Sequence, residues 1–228
     1  MHTKYHSKPS FGIFFVIGIM VFTLASTSYR AIYVGPERIY VDADATGAND
    51  GTSWTDAFTH LQDAWDKTES DGFYPYEIWV AEGVYYPDEE SIGTEHTDNS
   101  QSESFTLDHD YIELYGGFSG TESSITERDW EANLTILRRE IIQNDLYLGG
   151  DYIAEDWSDI TGSNAHHVPF LDGTTFDHIT QATTIDGFVI TAGDTPSYGG
   201  GIYCFADGLT ADCHPELRNL LVRGNKSF

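Results

Sequence analysis

Basic residues are scarce in this chain of 228 residues. It has 11 Lys and Arg against 37 Asp and Glu, a formal net charge of −26. A surface of that sign repels the phosphates of nucleic acids and anionic membranes, so nucleic acid is excluded as a partner. The charge favours a neutral or cationic ligand, or a ligand bound through a bridging cation.

Cysteine is also nearly absent, since the chain has only Cys204 and Cys213. Two cysteines do not make a disulfide scaffold, and their spacing is not that of a zinc site. In an exported chain we predict that they form one disulfide, with a turn at Asp207 and Gly208 between them. The bond would close the loop between these two cysteines, which extends from the core.

Long apolar runs are missing except for one, at residues 11–25. Lys4 and Lys8 precede this run and small residues follow it at 25–28, which is the layout of a secretory signal peptide. We therefore predict a signal peptide at residues 1–28, a mature chain with no membrane span, and a secreted or outer cell-surface location. An uncleaved anchor helix is the alternative, although the run is short for a span.

The motifs of metal and nucleophile chemistry are absent as well, with no HExxH and no paired CxxC. The loop at residues 42–47 resembles the start of a calcium loop, but its twelfth position is Ser53 instead of a bidentate Glu. We predict no catalytic residue and no cofactor, with weak calcium binding on the acidic surface left open. Adjacent His166 and His167 point to opposite faces if they lie on a strand, so we predict that they do not chelate together and that one is packed inward and the other is exposed. Arg138 and Arg139 are predicted to be a solvated pair.

A long-period repeat is the most informative feature that is present. Ile185, Phe188 and Ile190 recur 32 positions later as Leu217, Leu220 and Val222. Repeats of short strands at such a period are typical of stacked, solenoid-like architectures. We therefore expect Ile190 to lie beside Val222 on neighbouring strands.

The remaining patterns predict one helix and many short strands. Residues 57–67 have apolar side chains at helical spacing, and we expect this helix to cover the N-terminal end of the stack. Alternating patterns predict strands at residues 38–42, 77–80, 104–107, 111–115 and 134–137. The predicted fold is all-β, with an N-terminal cap at 36–76 and coils at 77–228.

Several blocks resemble a known group of proteins. They are residues 40–42 with 51–54 and the helix, residues 77–87, and residues 114–122 with 128–130. In these blocks the chain is similar to bacterial exported right-handed parallel β-helix repeat proteins of the polymorphic outer-membrane and adhesin-like group. The resemblance implies a right-handed parallel β-helix with a capping helix, incomplete at its C-terminus, as in a truncated fragment.

The function expected from these features is structural or adhesive and without catalysis. Two polar loops, which we call excursions, are predicted to extend from the core at residues 88–103 and 143–164. They would present a surface to an extracellular glycan or a surface protein. Trp157, in the second excursion, is the candidate ligand contact because an exposed aromatic ring can stack on a sugar. The alternative is a polysaccharide lyase or glycoside hydrolase, which only analogy of fold supports.

Overall fold

The computed structural model describes residues 35–71, 75–87, 101, 103–139, 150–162, 164, 166–174, 178–208 and 212–227. All of them belong to the compact unit Val34–Phe228. The other unit, Met1–Tyr33, holds the predicted signal peptide and lies outside the described residues. Parts of the two predicted excursions, at residues 88–100 and 143–149, also lie outside them.

The described residues contain twelve strands, one α-helix and two short 3-10 helices. The strands are β1 (Glu37–Val41), β2 (Tyr76–Ala81), β3 (Gly83–Tyr85), β4 (Phe105–Leu107), β5 (Ile112–Phe118), β6 (Thr135–Arg138), β7 (Pro169–Asp172), β8 (Thr184–Asp186), β9 (Phe188–Thr191), β10 (Tyr203–Phe205), β11 (Glu216–Arg218) and β12 (Leu221–Arg223). The α-helix is α1 (Leu61–Asp71), and the 3-10 helices are Ile125–Glu127 and Trp157–Asp159.

The strands form three parallel sheets. Sheet A has the order β1-β2-β5-β8-β11, sheet B the order β3-β6-β9-β12, and sheet C the order β4-β7-β10. In sheet A, one row of aliphatic side chains runs across all five strands in register. Its members are Ile39, Ile78, Leu114, Ile185 and Leu217. The first four are buried, and they form part of the main core together with residues from sheets B and C.

The expected pairing of Ile190 with Val222 is confirmed, since the two residues are in parallel register on β9 and β12. The predicted fold class is wrong. The chain is mixed α/β, with separate parallel sheets of five, four and three strands and a helix, and it is not the closed all-β solenoid that the repeat and the resemblance implied. The 32-residue repeat determines the register of neighbouring strands. It does not determine whether the sheets join into a closed solenoid.

The helix begins later than predicted. Phe58 is in a parallel bridge with Val41, and its N–H donates to the Tyr40 carbonyl at 3.0 Å, so the chain is still extended there. The helix starts at Leu61, which is buried in the main core with Ala64 and Trp65 of the same helix. In the described part of the chain, no helix combines the length and apolar character that crossing a bilayer requires.

Candidate ligand-binding site

The side chain of Trp157 forms one wall of a surface pocket with a volume of about 300 Å³. The indole is 59% exposed. Asn225, Lys226 and Ser227 line the rest of the pocket. The residue that the sequence singles out as a ligand contact therefore lies in a concave site on the surface.

The short helix that carries Trp157 is fixed at its first turn. The Asp156 carboxylate accepts from Ser158 N–H at 3.0 Å, and the Asp159 carboxylate accepts from the N–H groups of Glu155 and Asp156 at 3.0 Å each. Such reciprocal capping satisfies donors that a helix start leaves open. These bonds thus fix the backbone from which the indole projects.

The segment before Trp157 is anchored to the body by apolar contacts. Ile153 is buried against Ile136 of β6 and Val189 of β9. The N–H of Ala154 donates to Thr191 Oγ1 at 3.1 Å. The segment therefore crosses the outer face of sheet B, and Trp157 lies beside the turn that follows β12.

The opposite wall of the pocket is also held in place. Asn225 Oδ1 accepts from Gly193 N–H at 2.9 Å, and Asn225 Nδ2 donates to the Ile190 carbonyl at 2.9 Å. The Lys226 ammonium lies 3.4 Å from the Asp194 carboxylate. The pocket lining thus offers an aromatic face, an amide, an ammonium and a hydroxyl, which can together contact the apolar face and the hydroxyl groups of a sugar ring.

The disulfide is present between Cys204 and Cys213, with Cα atoms 5.7 Å apart. Cys204 is in register with the buried Leu171, so it lies on the core side of β10. Cys213 is in a bridge with Ile179 and packs against the main core. The bond therefore fixes β10 and contributes no ligand contact of its own.

Aromatic rings stack along the outer face of sheet C. Tyr203 is in register with Phe170, and the ring centroids are 5.7 Å apart. His167 stacks on Tyr203 at 4.6 Å, and its Nδ1 lies 2.9 Å from the Gly199 carbonyl. Burial lowers the pKa of the His167 imidazole, and Arg139 and His166 lower it further. The ring faces mostly contact one another, which indicates a structural role.

Two carboxylates lie side by side on the outer face of sheet A. Glu77 and Glu113 are in register on β2 and β5. Glu77 is held by Arg38 Nη2 at 3.0 Å and by Trp79 Nε1 at 2.8 Å. Burial raises the pKa of the Glu113 carboxyl and the charge of Glu77 raises it further, whereas Arg218 lowers it. A carboxyl with a raised pKa is the kind of group that a general acid requires.

The predicted solvated arginine pair is wrong, because Arg138 and Arg139 are both 0% exposed. Arg138 Nη1 donates to the Tyr152 carbonyl. Arg139 Nη1 donates to Ser104 Oγ at 2.7 Å. Hydrogen bonds to the chain take the place of water around these cations, which is why both can be buried.

The two histidines do not divide into one buried and one exposed residue. His166 and His167 are both half-buried, and their ring centroids are 6.3 Å apart. Neither lies within a strand, so the alternation of side-chain direction that underlies the prediction does not apply.

No group of three or more His, Cys, Asp or Glu side chains in the described ranges is placed to hold a metal ion. At the loop that resembles a calcium motif, Asp42 Oδ1 instead accepts from Asp44 N–H at 2.9 Å and forms a local turn. Such Asp-centred turns are common without any metal.

Comparison with protein-family models, with curated proteins and with solved structures gives no match. The resemblance to exported bacterial repeat proteins therefore stays a prediction.

The sequence reasoning missed the ion pair that the lining residue Lys226 forms with Asp194, although the sequence held a signal for it. Asp194 and Lys226 are 32 positions apart, the same offset as between Ile190 and Val222, so the repeat places them beside each other. Extending the repeat beyond its apolar positions would have paired them.

Proposed function

We propose that the protein is an exported, cell-surface module that binds a glycan through the Trp157 pocket and acts structurally or as an adhesin, without catalysis. The observation that carries the proposal is the exposed indole at a pocket lined by Asn225, Lys226 and Ser227. A sugar ring offers an apolar face to the indole and hydroxyl groups to the polar rim.

Other features support an extracellular setting. Residues 1–28 have the layout of a signal peptide, and the disulfide of Cys204 and Cys213 is the kind of bond that persists outside the cytosol. The net charge of −26 favours neutral or cationic glycans and would also attract calcium weakly.

The test measures binding of the mature chain to a panel of immobilised neutral, acidic and amino-sugar polysaccharides. We expect binding to at least one neutral or amino-sugar glycan, and a loss of about tenfold in affinity for Trp157→Ala, as for an aromatic hot spot. Trp157→Phe should recover part of the loss. The matched control is Tyr198→Ala, which removes another exposed ring outside the pocket lining.

Two outcomes count against this proposal. If the chain binds no glycan in the panel, glycan binding is excluded for those ligands. If Tyr198→Ala weakens binding as much as Trp157→Ala, the pocket is not the contact.

The adjacent carboxylates favour a second candidate function, polysaccharide cleavage by a hydrolase or lyase. Glu77 and Glu113 are in register on neighbouring strands, and retaining glycosidases hold their two carboxyl groups near each other, about 5–5.5 Å apart. The raised pKa of Glu113 suits a general acid. New reducing ends or unsaturated sugars released by the wild type and lost in Glu113→Gln would favour this candidate.

A further inference from the structure

A second cavity, which we call the Trp130 groove, lies at the turn between sheets A and B. It has a volume of about 430 Å³ and is lined on its apolar side by Leu134, Val189 and Leu221. Trp130, Glu131 and Asn219 are also in the lining. The size falls within the usual range of small-ligand pockets, about 300–1,000 Å³.

The indole of Trp130 is positioned by its backbone and by two glycines. The N–H of the preceding Asp129 donates to the Gly117 carbonyl at 2.8 Å. A Cβ added to Gly117 would lie 2.7 Å from the Trp130 Cβ, so this close packing needs a glycine there. A Cβ added to Gly187 would lie 3.2 Å from the same atom. These contacts fix the backbone that carries the indole, and Trp130, which is 37% exposed, lines the groove.

The polar edge of the groove offers acceptors. Among the described residues the exposed Glu131 carboxylate makes no hydrogen bond or ion pair. Asn219 Nδ2 already donates to Asp186 Oδ1 at 2.8 Å, which leaves its Oδ1 as an acceptor. Arg128, three positions before Glu131, pairs with Asp186 at 2.7 Å, so this cation already has a carboxylate partner.

We propose that the Trp130 groove is a second subsite, one that binds the protonated amine and apolar face of an amino-sugar unit. An ammonium between an indole and an unpaired carboxylate gains a cation–π contact and an ion pair. The net charge of −26 draws cationic ligands to the surface. This inference rests on the proposed glycan binding, and it adds the chemical class of the sugar.

The experiment titrates the folded chain with a β-1,4-linked glucosamine hexamer and, separately, with its fully N-acetylated form. The titrations are made at mildly acidic pH and near-physiological salt. We expect the amine form to bind more tightly than the acetylated form. Glu131→Gln should weaken the amine form by about fivefold to tenfold and leave the acetylated form within about twofold. Trp130→Ala should weaken both forms, and Trp130→Phe should recover much of the loss.

Glu82→Gln is the matched control, because it removes the same charge from an exposed position outside the groove. If it weakens the amine form as much as Glu131→Gln does, the attraction is general and the subsite is rejected. Equal binding of both hexamers to the wild type would also overturn the inference. A lysine-rich peptide that binds through Glu131 more tightly than the amine hexamer would reassign the groove to a protein ligand.

The variants separate this inference from the proposed function. Loss of binding in Trp157→Ala, with no effect of the Trp130 and Glu131 variants, would leave the Trp157 site standing and remove the second subsite. The opposite pattern would retain the groove and remove the Trp157 site. Thermal melting of each variant shows whether a loss of binding comes from a loss of fold.

Discussion

The carboxylate of Asp110 joins two turns that are far apart in the sequence. It accepts from Thr180 N–H at 3.1 Å, from Thr180 Oγ1 at 2.6 Å and from Thr183 Oγ1 at 2.7 Å, and it is 4% exposed. Burial raises the pKa of the Asp110 carboxyl, but these hydrogen bonds outweigh burial and hold the pKa below its usual range. Hydrogen bonds to an ionised acceptor are among the stronger ones in proteins.

We expect Asp110→Asn to lower the free energy of unfolding by about 2 kcal/mol, because the amide keeps the shape and loses the charge and one acceptor. Denaturant unfolding at neutral pH measures the change. Asp50→Asn is the control: Asp50 accepts from Thr52 in an exposed turn, and its replacement should cost much less stability than that of Asp110. Equal losses in the two variants would show that the buried network adds nothing.

Residue roles could be read from the sequence only where the local pattern was sufficient. The exposure of Trp157 followed from its polar sequence neighbours. The burial of Arg138 depends on Tyr152, across a loop, and that of Arg139 depends on Ser104, which is distant in sequence. Asp194 and Lys226 lie between these cases, because the repeat period places them together without any local signal.

At the scale of elements, β10 depends on its disulfide. The strand has three residues and, among the described strands, lies at the edge of sheet C and pairs with β7 alone. The disulfide ties Cys204 in this strand to Cys213, which packs against the main core. A short edge strand with one partner has few other contacts to keep it in register.

Replacing both cysteines by serine should cost about 2–3 kcal/mol of stability, through the loop-closure entropy of the unfolded chain. Amide hydrogen exchange should become faster at residues 203–205 and stay unchanged in β9. Reduction of the wild type should have the same effect as the double variant. Unchanged exchange in β10 would mean that strand pairing alone holds it.

The sequence predicted the positions of strands better than the limits of the helix. Alternation placed β1, β2, β4, β5 and β6 within a few residues of their observed bounds, because alternation reports which side of a strand is buried. Helical periodicity began at residue 57, yet pairing of Phe58 with Val41 keeps the chain extended until Leu61. A contact with β1 thus overrode the local pattern.

At the scale of the whole molecule, the half-buried His167 and the buried Asp110 make stability depend on pH. The pKa of His167 is lowered in the folded chain, so the unfolded chain binds this proton more readily and stability falls as the pH drops below about 6.5. The pKa of Asp110 is also lowered, so its contribution is present above about pH 4 and is lost as the pH falls through the folded pKa.

Denaturation midpoints should therefore fall in two steps as the pH is lowered from 7.5. In His167→Phe, which keeps an aromatic ring in the stack, the decrease that begins below about pH 6.5 should shrink. In Asp110→Asn the decrease below about pH 4 should shrink instead. Identical pH profiles for the wild type and both variants would contradict the assignment of these two groups.

The overall architecture was the part least accessible from the sequence. The offset between Ile190 and Val222 fixed which strands pair, and the structure has that pairing. Whether three sheets close, and whether a helix belongs to the core, depends on contacts between sheets that a repeat of apolar residues does not encode. An all-β closed stack and a mixed α/β arrangement share the same local pattern.

The aliphatic row of sheet A keeps its register although the chain between its members varies greatly in length. Ile185 follows Leu114 by 71 positions and Leu217 follows Ile185 by 32, yet both pairs are direct neighbours. The packing of the row therefore places no fixed limit on the length of the connections. Ligand-binding loops could therefore be inserted into these connections, or exchanged for others, without a change in the packing of sheet A.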